Sequence, residues 1–210
     1  MNPKKPTAGI ILAAGLSTRF GRPKQLMHLN GKPLIEWVMD ASLQSRLDEI
    51  VLVLGHNAHP IASDLTTRYS DQRITLIINP QYKEGMSQSL RAGLVNVMQN
   101  IPSVMFLLGD QPLVSSGLID RLLATFWESE KDICIPMHKG RRGNPTIFSN
   151  RFYKQLLKVS GDIGAREIIR AYPQAVLPVE VEDPLPFFDI DTDTDLEVLH
   201  TILIKSKNIF

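Results

Sequence analysis

The stretch "AAGLSTRFGRPKQL", opening at Ala13 as the apolar run "GIIL" ends, gathers Arg19, Arg22 and Lys24 with Ser17, Thr18 and two glycines. Small residues at Ala13, Ala14 and Gly15 let backbone N–H groups approach an anion without side-chain obstruction, and the hydroxyls add donors. Arg19 offers a planar fork and Lys24 a mobile point charge, a pairing suited to neutralising triphosphate oxygens. The string lacks both the closing Gly-Lys-Ser/Thr of a Walker loop and the G-x-G-x-x-G spacing of dinucleotide folds. Composition alone leaves a solvated basic loop equally open.

Two acidic stretches supply the complementary chemistry. In "LLGDQPLV", Asp110 stands where an apolar strand ends and Pro112 stops the ladder, so its carboxylate projects from the strand's carboxyl edge. A hard oxygen ligand there suits Mg²⁺, which takes one or two carboxylates together with substrate phosphates. Gly-Asp before a proline is also ordinary turn chemistry, and the buried run ahead of it favours function. In "FFDIDTDTDL", Asp189 and Asp191 lie two apart in a strand-like run, which points both to one face. Such carboxylates repel unless water or a positive charge lies between them, and a divalent cation would resolve the conflict. A calcium loop of the EF-hand type is excluded by the missing central glycine and final glutamate. Asp193 and Asp195 read as acids favouring a helix N-terminus, with Thr192 or Asp193 as its cap.

Two further segments are candidates. "EGMSQSLRAGL" places Gly85, Ser87 and Ser89 where a helix begins, with exposed N–H groups able to meet polar ligand atoms; plain capping by Ser87 is the simpler reading. "KGRRGNPTIF" pairs glycines with Arg141, Arg142 and Asn144, either a hairpin tip for an anionic second substrate or a solvated turn. The five histidines are scattered without ligand spacing, which disfavours zinc, and no serine sits in a G-x-S-x-G elbow.

The elements that must position these loops follow from apolar rhythm. "AGIILA", "EIVLVLG", "ITLIIN" and "VMFLLGD" are near-continuous apolar runs, each followed by a helical pattern, and "DICIPM" closes the series. This predicts an α/β, Rossmann-like doubly wound, mostly parallel sheet with helices on both faces. After Pro136 the rhythm changes, which predicts a small antiparallel or mixed C-terminal part. No repeat, low-complexity tract or linker interrupts the chain, so one domain is expected over residues 1–210, with its core at about 7–204. Ligands of open α/β sheets bind beyond the carboxyl ends of the strands, where all four loops fall.

Composition bounds the classes. The 210 residues are 43% hydrophobic, enough for one substantial core, and carry a net charge of +1, so no global basic field for nucleic acid exists. The distribution is uneven. Lys4, Lys5, Arg19, Arg22, Lys24 and Lys32 precede the first acid, Glu36, whereas between Arg170 and Lys205 the formally charged residues are all acids. That split suits a site where one segment meets phosphate and another meets a cation. Cys134 is the only cysteine, which excludes a disulfide within the chain and suits a reducing compartment. No segment approaches a membrane span and the N-terminal apolar run is short for a secretory signal, so a cytoplasmic protein with no nucleic-acid or membrane partner is expected.

Taken in order, "LAAGLSTRFGRPKQL", "EGMSQSLRAGL", "LLGDQPLV", "RRGNPTIF", "GDIGAR" and "DIDTDTDL" resemble the nucleotidyltransferase family that includes molybdenum cofactor cytidylyltransferase, from about residue 8 to about residue 200. The first motif marks the wider superfamily of nucleotide-diphospho-sugar transferase-like folds, and the combination with "GDQP", "RGNP" and "GDIGAR" points to the cytidylyl branch. The resemblance implies a Mg²⁺-dependent transfer of CMP from CTP to molybdopterin. Leu12, Ala13, Ala14 and Gly15 would touch base and ribose, and Gly85, Ser87 and Ser89 would read the base. Arg19 and Lys24 would bind the triphosphate, acting catalytically with Asp110. Asp110 and Asp191 would hold the metal with Asp189 in reserve, and Arg142 and Asn144 would meet the second substrate. A molybdenum hydroxylase would receive the product. His56 and the polar "HKGRR" turn are not features the family requires, which leaves the second pocket open. Rival expectations are GTP or UTP transfer to a sugar phosphate, and a non-catalytic carrier of the cofactor. A dinucleotide-binding oxidoreductase lacks its glycine spacing.

Overall fold

The computed structural model of the chain describes residues 5–16, 23–162 and 164–207. Its main sheet is built from β1 (Thr7–Ala13), β4 (Glu49–Leu54), β5 (Ile74–Ile78), β6 (Ser103–Leu108), β7 (Ile133–His138), β9 (Thr146–Ser149) and β10 (Val176–Glu180), in the order β10-β7-β9-β6-β1-β4-β5. A two-residue strand, β8 (Arg141–Arg142), hangs from β7, and β2 (His28–Leu29) pairs with β3 (Lys32–Pro33) as a separate ribbon. Neighbours are parallel from β6 through β1 and β4 to β5, and again between β7 and β10. The expected mixed part is present, but it is not a terminal appendage. Strand β9 runs antiparallel between β6 and β7, in the middle of the sheet.

Alternation along each strand divides the core into two layers. Ile11, Leu52 and Met105 face one layer, filled by α1 (Leu34–Leu43), α2 (Ala58–Arg68) and α4 (Ser116–Glu128) through Ile35, Ile61 and Phe126. Ile10, Val53 and Phe106 face the other, covered by α3 (Met86–Val97), α5 (Tyr153–Leu156) and α6 (Arg166–Ala171) through Leu94, Leu156 and Ile169. Helix α4 starts where Ser115 Oγ accepts the Leu118 N–H at 3.2 Å. The apolar run of β5 suggested burial on both faces. Instead it is the outermost strand and Ile78 is 41% exposed, because no described strand pairs beyond it.

A third, smaller cluster decides where the chain ends meet. Met27, Leu29 and Leu34 pack with Ile190 and with Leu199 of α7 (Asp193–Lys207), which brings the acidic C-terminal segment against the turn that carries Lys24. Thr192 caps α7: its hydroxyl accepts the Asp195 N–H at 3.2 Å. No described helix is long and apolar enough to cross a membrane. Cys134 is buried, and burial pushes its thiol up to about 12, which makes it an inert core residue.

Helix α3 lies close on the sheet because Gly93 has no side chain. A Cβ at that position would sit 2.4 Å from Ile10 Cγ2 and 3.1 Å from Val53 Cγ2. Overpacking of this kind typically costs about 1–3 kcal/mol. Gly93→Ala should therefore lower the urea midpoint by that equivalent in a denaturation experiment.

Candidate active site

The largest convergence of the singled-out residues is a cleft of about 300 Å³ at the carboxyl ends of β1 and β6. Leu12, Ala13, Ala14 and Gly15 form one wall, Gly85 and Ser89 another, and Lys24 and Asp110 lie on its lining as well. Three loops far apart in the chain thus meet at one mouth, where an open α/β sheet accommodates ligands. Arg19, with Arg22, Ser17 and Thr18, lies outside the described residues.

Each wall is held by specific contacts. Gln25, 3% exposed, donates from Nε2 to the Ala13 carbonyl at 2.7 Å and pins the small-residue turn from below. The Gly109 N–H donates to Leu12 O at 3.0 Å, tying the exits of β6 and β1 together. The Ile190 N–H donates to Asp110 O at 3.1 Å, so the backbone at Asp110 is joined to the C-terminal segment.

The electrostatic centre is Lys24. Its ammonium donates to Asp110 Oδ2 at 2.6 Å, to Asp191 Oδ1 at 3.1 Å and to the Ile190 carbonyl at 3.3 Å. Burial is the largest single influence on this group and opposes its charge, but the two carboxylates together outweigh it and hold its pKa above the ordinary lysine value. A positive charge between Asp110 and Asp191 is therefore supplied by the protein itself. Among the described residues Asp110 Oδ1 is buried with no hydrogen-bond partner, a hard oxygen ready for a further cation. Two carboxylates suit Mg²⁺ completed by phosphate oxygens; among the described residues no group of three or more His, Cys, Asp or Glu forms a protein-only cage.

Residues 189–191 form no strand, so the alternation argument does not hold, yet Asp189 still faces the same centre. Its carboxylate accepts from Gln111 Nε2 at 2.7 Å. Burial first, then repulsion from Asp110 and Asp191, raises its pKa above the ordinary aspartate value, against the opposing effects of Gln111 and Lys24.

The remaining candidates fall in different places. Ser87 neither lines the cleft nor caps α3: it is 1% exposed and its N–H donates to Gly161 O at 3.1 Å. Gly85 holds the N-cap position instead, at φ 103°, and Asp162 Oδ1 accepts the Met86 N–H at 3.1 Å. A Cβ on Gly85 would meet Gly161 C at 2.7 Å, so only glycine fits this close approach. Ser89 does line the cleft, accepting from Asn79 Nδ2 at 3.0 Å. Arg142 and Asn144 line a separate hollow that shares no lining residue with the cleft. Sequence reasoning gave no role to Gln25, Tyr82 or Asp162; only the "GDIGAR" motif flagged the last, and the pinning by Gln25 had no local signal.

Removing the like charge at position 189 should stabilise the metal-free protein at neutral pH. A raised carboxyl pKa favours the fold when protonated, so its contribution is present below the unfolded-state pKa and lost as pH rises through the folded one. In EDTA, Asp189→Asn should melt above the parent at pH 7 and the gap should close as pH falls through the carboxylate range. An equal gap at both pH values would contradict this.

Residues 9–176 match the model of the MobA-like NTP transferase domain. The chain is 29% identical over 191 residues to a nicotine blue oxidoreductase of Paenarthrobacter nicotinovorans, covering 88% of this chain and 91% of the relative. It is 28% identical over 193 residues to the molybdenum cofactor cytidylyltransferase of Escherichia coli, covering 89% and 91%. To a probable molybdenum cofactor guanylyltransferase of Thermococcus gammatolerans it is 28% identical over 203 residues, covering 91% and 98%. Among solved structures, Rv0371c of Mycobacterium tuberculosis superposes with TM-score 0.79 at 24% identity, covering 95% of this chain and 99% of that one. Its complex with manganese superposes with TM-score 0.75, at 24% identity, covering 94% and 99%. Every lining residue of the cleft lies within the matched span, and the chain belongs to the MobA-like NTP transferase family.

Proposed function

We propose that this nucleotidyltransferase moves CMP from CTP to the phosphate of molybdopterin, releasing pyrophosphate, with Mg²⁺ as its cation and the cytoplasm as its setting. The observation that carries the reading is the Lys24 ammonium held between Asp110 and Asp191 at the foot of a cleft walled by small residues. An oxygen of the acceptor phosphate attacks the α-phosphorus as the bond to the β-phosphate oxygen breaks. No protein nucleophile is needed, and catalysis rests on positioning and charge neutralisation.

The chain's own residues divide that work. Ala13, Ala14 and Gly15 bring backbone close to the nucleotide, with Leu12, Gly85 and Ser89 around base and ribose. Lys24, together with Arg19, meets the negative charge that gathers on the leaving pyrophosphate. Asp110 and Asp191 are the oxygen donors for Mg²⁺, which when bound adds positive charge beside the phosphates. The manganese complex of Rv0371c supports a divalent cation in this fold. No G-x-G-x-x-G loop follows β1, which favours phosphoryl chemistry over hydride transfer.

The base is chosen here by the motif combination, with relatives of both cytidylyl and guanylyl kinds at equal identity. Thermal shift with each of the four NTPs and Mg²⁺ tests it. A ligand present at a hundredfold excess over its Kd stabilises by about 2.7 kcal/mol, so the selected nucleotide should stand clear of the other three. A preference for GTP would replace cytidylyl by guanylyl transfer.

Activity follows from pyrophosphate release with CTP, Mg²⁺ and molybdopterin. Losing a preorganised charge contact typically costs about 2.7–4 kcal/mol in the barrier, so Lys24→Ala should slow turnover by about a hundredfold or more. Near-native turnover of Asp110→Ala with Mg²⁺ would remove the metal assignment. Release only with a sugar phosphate as acceptor would redirect the substrate.

A further inference from the structure

Two duties fall on Lys24 that one ammonium cannot perform at once. It donates to Asp110 Oδ2 at 2.6 Å, to Asp191 Oδ1 at 3.1 Å and to the Ile190 carbonyl at 3.3 Å, acceptors that match its three N–H groups. The proposed function asks the same ammonium to meet the leaving pyrophosphate, and asks Asp110 and Asp191 to hold Mg²⁺. A divalent cation brought to those carboxylates meets a like charge already seated between them. Only 16% of the lysine side chain and 21% of the Asp110 side chain are exposed, so salt and water screen that conflict poorly. One cation has to leave before the other settles.

The local structure lets the ammonium move while the backbone beneath it stays in place. Lys24 opens the short turn Lys24–Leu26, which is anchored by the Met27 N–H donating to Lys24 O at 3.1 Å and by Gln25 Nε2 donating to the Ala13 carbonyl at 2.7 Å. The charge itself stands at the end of a flexible four-carbon stem. Lys24 lines the cleft together with Ala13, Ala14 and Gly15, the wall assigned to the nucleotide, so phosphates bound there come within the reach of that stem. Departure of the ammonium with nothing in its place is opposed by a third acid, since Asp189 is close enough to be repelled by both Asp110 and Asp191. A cation that arrives alone strands the ammonium, and a nucleotide that arrives alone strands the acids. Arriving together they satisfy both: the cation replaces the ammonium among the carboxylates, and the phosphates receive the ammonium.

We infer that Lys24 is the resting counter-ion of the metal site, which keeps a free divalent cation off Asp110 and Asp191 and passes to the phosphates when cation and nucleotide load together. The exchange rests on the proposed assignment of the cation to those two carboxylates. It makes the two ligands mutually dependent, each raising the affinity for the other by the same factor. The site thereby selects the metal-nucleotide complex over either part.

Titration of nucleotide-free protein with Mn²⁺, followed by the electron paramagnetic resonance of the free ion at constant pH, tests the exchange. Removing the ammonium in Lys24→Met should tighten Mn²⁺ binding by about tenfold or more, a factor usual for coupled ligands. Adding Asp110→Asn to that variant should abolish the gain. Equal or weaker binding in Lys24→Met that still requires Asp110 would overturn the exchange and leave the metal assignment standing, whereas binding indifferent to Asp110→Asn would strike both. Amine acetylation of the parent, read at Lys24 by peptide mass spectrometry, keeps the test open if Lys24→Met does not fold. Labelling of Lys24 should be slow in the free protein, faster with saturating Mn²⁺ alone and slow again once CTP is added to the Mn²⁺. A labelling rate that Mn²⁺ leaves unchanged would overturn the exchange.

Discussion

The site depends on one interaction, a mostly buried ammonium shared by two carboxylates. Lys24 lies 86 residues from Asp110 and 167 from Asp191, and all three meet within hydrogen-bonding distance. Without the lysine charge, Asp110, Asp189 and Asp191 would face one another across a space partly removed from water, an arrangement that self-repulsion disfavours. The contributions are unequal. Asp191 is about half exposed and therefore well screened, whereas Asp110 is mostly covered, so the Lys24 to Asp110 contact carries more of the energy.

Apolar packing has to bring these charges together, because exposed or half-exposed ion pairs are too weak to fold a chain end back on themselves. The small cluster of Met27, Leu29 and Leu34 with Ile190 and Leu199 does this. It sits outside both main core layers, and it fixes α7 and the segment before it beside the turn that opens at Lys24. The same economy appears at the other wall. Gly85 lets the loop at Gly161 and Asp162 close onto the start of α3, where a side chain would force them apart.

Strand β9 gives the sheet a division of labour. The parallel half carries the nucleotide cleft at the exits of β1 and β6, while the antiparallel insertion of β9 next to β6 sets the separate hollow, lined by Arg141, Arg142, Arg166 and Arg170. Two cavities of different charge result. One holds a cation clamped by acids, the other a group of cations without acids.

Much of this was legible in the chain itself. Near-continuous apolar runs and the helical patterns between them dictate a parallel α/β sheet, because burial on both faces demands such strands. Small residues before Lys24, and Asp110 at a strand exit, declare a phosphate and cation chemistry through local composition. The direct ion pairing of Lys24 with Asp110 and Asp191 was not legible, nor the pinning of Ala13 by Gln25 or the burial of Ser87. Those depend on which loops the strand order makes neighbours and on which side chain wins a shared acceptor. Residue types and spacing are local properties and determine what chemistry a segment can offer; tertiary packing decides which charges meet, since Coulomb forces act on distance in space and not along the chain.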